Sequence, residues 1–306
     1  MSAVLAQGPH SLLSAEASAS AADLVACGSL EISPDHVSEV RAVAASLPVG
    51  TKVYVNHLPR HALAGSLPTL NALREAGLEP VPHIAARRVL SRPELRSFLE
   101  RAVGEAGVSK VLLIGGDDPQ ARGPYADAAS VLREGILAQC GVREVGLPGY
   151  PEGHPRIAAE LLEQALEEKL ALAGEQELGT YMVTQFSFAP ARVVELCARL
   201  ARERPALPLY VGLAGPTEPR TLLRFAQRCG VSASLRALKD QGMGAVRLIT
   251  HTDPSEQLAA VARYSLGHPS STVVGVHLFS FGSATRAGEW MRSVLAARPE
   301  GLGTRG

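Results

Sequence analysis

The residues able to do chemistry stand at corners of the chain. GYPEGHP, Gly149 to Pro155, packs two prolines, a carboxylate, an aromatic and a histidine between a strand-like run and a strongly helical one. Glu31 sits in SLEIS, where desolvation at the end of an apolar strand would raise its pKa and suit it to general-acid work. The competing reading is a strand-end Glu that caps the next helix or pairs with a base. In IGGDDPQ, Gly115 and Gly116 let a ligand approach the backbone closely and Asp117 can aim at it, while Asp118 reads as a turn-former. Gln185 in VTQFSF is an amide in an apolar run, costly unless a ligand or a neighbouring strand end bonds it. His83 in PHI reads equally as a satisfied core histidine, and His57, after Asn56, as an exposed loop residue.

Asp117, His83 and His154 would be the partners of a metal, yet no metal-ligand spacing joins them, so no metal is expected. GxGxxG and Walker sequences are absent, which argues against Rossmann and P-loop nucleotide sites. Neither GxSxG nor HExxH occurs.

Positioning these groups requires strands. Short apolar runs at 29–33, 52–57, 79–84, 110–116, 143–149, 180–188, 208–215 and 272–281 alternate with helical patterns such as PELRSFLERAVGEAG, YADAASVLREGILAQCG and HPRIAAELLEQALEEKLALAG. Strands apolar nearly throughout imply a parallel sheet covered on both faces. Repeated βα units with no domain break favour an α/β fold of the (β/α)8 TIM barrel type over an open sheet. Residues 29–298 form that barrel, 1–28 an N-terminal extension and 299–306 a flexible tail. The extension reads either as a short helix over one end of the barrel or as disorder. In such barrels function gathers at the C-terminal strand ends. Those ends here carry Glu31, Asn56, His57, His83, Asp117, Tyr150 to His154 and Gln185, whereas the strand starts carry ordinary residues.

The composition narrows the rest. A hydrophobic share of 46% supports a large core, and with aromatics at 4% that core is mostly Leu, Val and Ala. Lys plus Arg and Asp plus Glu balance at 30 each, which argues against nucleic acid or an anionic membrane as the main partner. Cys27, Cys140, Cys197 and Cys229 have no paired spacing and read as reduced thiols of a cytoplasmic protein. No run of about 18 apolar residues appears, and the N-terminus lacks the basic region of a signal peptide.

Taken in order, LEISP, GGDDP, GYPEGHP and VTQFSF resemble the strand ends of methylenetetrahydrofolate reductase, over roughly residues 29 to 285. YPEGHP is the most specific of the four, VTQFSF is supportive, and the match is to a divergent member. The resemblance implies a flavoprotein barrel binding FAD at the C-terminal mouth. Such an enzyme passes a hydride from NAD(P)H through flavin to 5,10-methylenetetrahydrofolate. By motif, Glu31 matches the general acid, Asp117 the carboxylate that contacts the pterin, and Gln185 the amide that binds folate. Asn56, His57, His83, Gly115, Gly116, Asp117, Tyr125, Ala126, Tyr150 and His154 fall where the family wraps FAD, and Lys169 matches a phosphate-side lysine. Relatives associate through outer helices, which makes a homo-oligomer an expectation.

The departures are specific. Gly115 stands where the family has Arg, and Ile32, Ser33, Pro34 and Asp35 replace FFPP. FSFGSATR replaces the closing YTLNR. SASLRAL, with Leu235 and Leu238, replaces the aromatic loop that stacks nicotinamide, leaving Leu238 on the substrate side. Flavin and folate binding therefore carry over better than NAD(P)H use. The expected activity is interconversion of 5,10-methylene- and 5-methyltetrahydrofolate. One version runs oxidatively, with oxygen or another acceptor. A folate-binding barrel without turnover and an unrelated metal-dependent barrel lyase are the other readings.

Overall fold

The computed structural model describes residues 14–59, 61–229, 231 and 254–299. Each apolar run forms a strand: β1 Ser29–Ile32, β2 Lys52–Val55, β3 Glu79–Ala85, β4 Lys110–Ile114, β5 Glu144–Gly149, β6 Gly179–Thr184, β7 Leu209–Ala214 and β8 Val273–Phe279. Every strand pairs in parallel with its chain neighbours, and β8 pairs with β1, so the sheet is a closed eight-stranded barrel. This is the (β/α)8 TIM-barrel fold expected from the alternation. Pro80 and Pro82 cannot donate to a ladder, and β3 takes up pairing with β4 only from His83 onward.

The outer helices are α1 Ala15–Ala26, α2 Val40–Ala44, α3 Leu67–Glu75, α4 Arg92–Gly104, α5 Ala128–Arg133, α6 Ile136–Gln139, α7 Ala159–Gly174, α8 Pro190–Glu203, α9 Pro219–Arg228, α10 Ser255–Gly267 and α11 Ala284–Ala296. YADAASVLREGILAQCG, expected as one helix, is split into α5 and α6 because Gly135 adopts φ +66° between them. The N-terminal helix does not lie over an end of the barrel. Its alanine-rich face, with Leu24 and Val25, packs in the helical ring against α10, α11 and β8. Met1 to Leu13 and the tail from Glu300 lie outside the described residues.

Side-chain alternation along the strands sets the layers. Leu30 and Ile32 of β1 join the main core beneath the helices, while Ser29 and Glu31 turn inward. At the N-terminal floor, Lys110 Nζ lies 3.0 Å from Glu144 and 3.6 Å from Glu79, and Lys52 sits 5.4 Å from the Tyr210 ring centre. Above it Tyr54, Val81, Leu112, Tyr181 and Val183 fill the axis, with Tyr54 donating to the Tyr181 hydroxyl at 3.1 Å. Glu31, His83 and His277 form the next layer up.

Candidate functional site

Stepping two residues along β1 and β8 from the floor brings Ser29 and Glu31, and His277, into the barrel. Glu31 is 8% exposed and His277 fully buried. Glu31 Oε1 lies 3.5 Å from His277 Nε2 and 3.6 Å from His83 Nε2, and Asn56 Nδ2 donates to Oε2 at 3.4 Å. Ser29 Oγ pairs with His277 Nδ1 at 2.8 Å, which fixes the imidazole plane. Tyr54 stands edge-on to His277 and His83 with ring centres 4.7 and 5.7 Å away. Both Nε2 atoms are buried and make no hydrogen bond.

The electrostatics correct the expectation of a raised Glu31. Burial does push its carboxyl up, but the His277 ring, then His83 and Asn56, pull it down further, and the net lies below the ordinary carboxylate value. Burial pushes His83 down to about 4, so at neutral pH its ring is uncharged. The cluster is therefore an ionised carboxylate held between His83 and His277, rather than a carboxylic acid waiting to give a proton.

The loop after β4 is tied down by arginines. Arg88 donates from Nε to Asp118 at 2.6 Å and from Nη1 to the His57 carbonyl at 2.5 Å. Arg122 grips the other oxygen of Asp118 through two nitrogens, and Arg87 reaches the carbonyls of Asp118 and Ala126. Asp118 thus serves the turn, as expected. Asp117 beside it has a side chain 73% exposed, with Arg88 Nη2 3.9 Å away. Gly116, at φ +90°, turns the chain there.

The GYPEGHP corner begins at the last residue of β5 and continues as an irregular segment, and α7 starts only at Ala159. Gly153, at φ +75°, donates to the Tyr150 carbonyl at 3.1 Å, and His154 bridges to Ile157. Tyr150 and His154 meet edge-on with ring centres 5.2 Å apart. Burial, with the Asp117 charge next, lifts the Tyr150 phenol to about 12. Burial, then Arg156, lowers His154 despite Asp117. Asp117, Tyr150 and His154 therefore share one field at the β4–β5 side of the mouth.

Gln185 follows β6, half-buried, its Oε1 accepting from the Phe186 N–H at 3.1 Å. On the β6–β8 side the ends are aromatic: Phe186, Phe188, Phe279 and Phe281 pack with Leu222 and Phe225 of α9 into a second core. Phe281 has φ +49°, which costs a non-glycine residue about 1–2 kcal/mol.

Other expected cofactor residues are placed differently. His57 is buried rather than exposed, accepting from the Ala85 N–H at Nδ1, and burial lowers it to about 4. Tyr125 is packed in the main core and donates to Glu134 at 2.6 Å, so its ring is not offered to the mouth. Ala126 is exposed and engages Arg87 through its carbonyl. Lys169 is half-buried on α7, lowered by burial, with Asp127 and Glu168 as opposing charges. Leu235 and Leu238 lie outside the described residues. Among the described residues no group of three His, Cys, Asp or Glu is arranged to hold a metal ion.

Ser29, Tyr54, Arg88 and His277 are the site residues that sequence reading missed. Alternation carried the signal for His277: in VVGVHLF, counting back by two from Phe279 at the mouth puts the imidazole on the axis.

No family model matches the chain. It is similar in fold to a 3-dehydroquinate dehydratase from Geobacillus kaustophilus, at 15% identity and TM-score 0.40, over 62% of this chain and 74% of that one. It is likewise similar to an N-acetylneuraminate lyase from Fusobacterium nucleatum, solved with pyruvate, at 9% identity and TM-score 0.40, over 86% of this chain and 69% of that one. These likenesses concern the barrel.

Proposed function

We propose that the chain is an FAD-dependent oxidoreductase interconverting 5-methyl- and 5,10-methylenetetrahydrofolate. The observation that carries the reading is the meeting at one mouth of Glu31 with Asp117, Gln185 and the GYPEGHP corner, the residues whose motifs carry the family resemblance. Open space on the β4–β5 side supports placing the flavin there. An added Cβ at Gly115 or Gly153 would meet no atom within 4 Å, so open space adjoins both backbones. Tyr150 and His154 belong to the same corner as Gly153, and Asn56 at the end of β2 donates to Glu31. Tyr125 and His57 do not contribute side chains to that space, and their part reduces to holding the loops.

A bound flavin would supply the hydride chemistry. The protein would supply orientation and proton handling. Asp117 and the Gln185 carboxamide suit paired hydrogen bonds to the amide-like edge of a pterin. In the oxidative direction the N5 methyl loses a hydride and becomes an iminium, N10 closes on it, and the N10 proton passes to Glu31. In the reductive direction Glu31 returns that proton. A carboxyl held below its ordinary value is ionised at neutral pH, so it can take that proton, but it holds it more weakly than an ordinary glutamate.

Anaerobic titration tests the reading. The purified protein, reconstituted with FAD where needed, is expected to show a flavin spectrum that bleaches with 5-methyltetrahydrofolate. Bleaching by NADH alone would restrict the activity to the reductive direction. A protein that takes up no FAD would end the reading.

A further inference from the structure

A proton that Glu31 holds weakly must come from somewhere and go somewhere. Two imidazoles face its carboxylate, and they differ in what lies behind them. His277 is a dead end: its Nδ1 is tied to Ser29, the Tyr54 ring stands edge-on against it, and no part of it is exposed. His83 instead borders a small cavity that it shares with Asn56, His57, His61 and Ser66. Most of that lining comes from the stretch between β2 and α3.

The two other rings in the lining differ as well. His57 accepts from the Ala85 N–H at 3.2 Å, and its ring also bonds the His61 backbone, so it braces the loop and has no nitrogen to spare. His61 pairs through Nε2 with Asp35 Oδ1 at 2.7 Å, and its Nδ1 is buried without a hydrogen bond. A carboxylate only accepts, so Nε2 carries the hydrogen and Nδ1 is the nitrogen left over. The Asp35 side chain is 60% exposed and opens the pair to solvent. Asp35 stands in the ISPD that replaces FFPP, so the pair is outside the family pattern.

We infer that His61, anchored by Asp35, carries protons between solvent and His83, which exchanges them with Glu31. The inference rests on the flavin–folate reading and adds to it the route by which Glu31 is recharged or emptied. In the reductive direction a protonated His61 gives its Nδ1 hydrogen to His83 Nδ1, while His83 gives its Nε2 hydrogen to Glu31 Oε1, 3.6 Å away. His61 ends neutral with Nε2–H on Asp35, and Glu31 ends as a carboxylic acid. A turn of each ring restores the starting tautomer, and solvent reprotonates His61. Oxidation runs the same transfers backwards. The cavity leaves no room for a water molecule, so the step takes a swing of His61, which lies outside helix and strand. The charge rests on His61 beside Asp35, and burial keeps the His83 ring neutral between transfers.

The test compares wild type with His61→Gln, each with and without FAD. In the FAD-free protein, solvent exchange of the His83 ring N–H, followed by NMR, should slow about 10-fold in the variant. In the loaded protein, kcat for 5-methyltetrahydrofolate oxidation should fall about 10-fold with KM unchanged. The solvent deuterium isotope effect should grow, and added imidazole should restore the rate. Asp35→Asn keeps a hydrogen-bond partner for His61 without the charge and should show a smaller loss of the same kind. It takes the place of the glutamine variant where that one fails to fold. Unchanged exchange and turnover overturn the inference. So does a loss that tracks Tm and that imidazole leaves in place, because the pair then only holds the loop. A wild-type protein that takes up no FAD overturns the underlying reading, and the exchange measurement still decides whether His61 serves His83.

Discussion

The two ends of the barrel bury charge in opposite ways. At the floor, the Lys110 ammonium lies between the carboxylates of Glu79 and Glu144, and Lys52 covers the Tyr210 ring. Two cations there face two anions. At the mouth, one carboxylate faces two imidazoles whose Nε2 atoms lack hydrogen bonds, and Asp117 stands in solvent. Buried polar atoms without partners cost about 1–3 kcal/mol each. The floor is complete as it stands, whereas the mouth spends stability on groups that a ligand or a moving proton can use. That asymmetry matches the division of such barrels into a stability face and a chemical face.

The largest expected effect separates the ends by turnover. Glu31→Gln keeps the size and hydrogen-bonding reach of the side chain but cannot carry the proton. Steady-state oxidation of 5-methyltetrahydrofolate should fall about 10²- to 10⁴-fold, while FAD content and Tm stay close to wild type. Turnover within 3-fold of wild type would show that Glu31 is a packing residue like those of the floor.

The mouth should also be the acid-sensitive end. Burial depresses His57 and His83 from 6.5 to about 4 in the folded chain. The unfolded chain therefore takes up protons first as pH falls. The stability of each neutral ring is present above pH 6.5 and is lost between there and about 4. At pH 5 that amounts to about 2 kcal/mol per histidine. The lowered Glu31 adds a loss only below its unfolded value. Urea unfolding at pH 7.5 and pH 5 measures the difference, and His83→Gln should remove about half of it. Equal stability at the two pH values would contradict the buried neutral rings.

A smaller effect is expected at the floor. Lys110 is raised, because the Glu144 and Glu79 charges outweigh its burial. A raised lysine gives its full contribution below its ordinary pKa and loses it only in strong alkali, so the floor should be silent across the range that disturbs the mouth. Lys110→Met should cost about 1 kcal/mol, as a partly screened ion pair does, with turnover unchanged. A turnover loss comparable to that of Glu31→Gln would abolish the distinction between the ends.

Sequence alone delivered the barrel, because each strand is a short apolar run and helical periodicity separates the runs. The runs at 180–188 and 272–281 overshot their strands, since Phe186, Phe188 and Phe281 are apolar for the sake of the second core at the mouth rather than a ladder. The positions of Glu31 and Asp117 at the C-terminal ends of β1 and β4 were legible because each closes a short apolar run. His277 was not, because one polar residue in VVGVHLF looks incidental until β8 closes on β1 and sets it beside Ser29 and Glu31. Only ring closure creates that neighbour relation. Tyr125 erred for a similar reason: its motif position was readable, but the hydrogen bond to Glu134 that turns it into the core was not.

The smallest expected effect concerns Gly115, where the family this chain resembles carries arginine. Its φ is not in the left-handed region, and an added Cβ would meet nothing within 4 Å. The Arg87 N–H that donates to the Gly115 carbonyl at 3.0 Å uses backbone alone. Gly115→Arg should therefore change stability by no more than about 0.5 kcal/mol, as surface substitutions do. Its guanidinium would extend into the open space assigned to the flavin. A cation there favours the reduced, more negative form, so the midpoint potential should rise by about 20 mV, equivalent to about 1 kcal/mol for two electrons. Arginine at the floor has no such reach, and Val49→Arg, at an exposed position just before β2, should leave the potential where it is. An unmoved potential in Gly115→Arg would place the flavin away from β4, and the polar half of the mouth would then need another occupant.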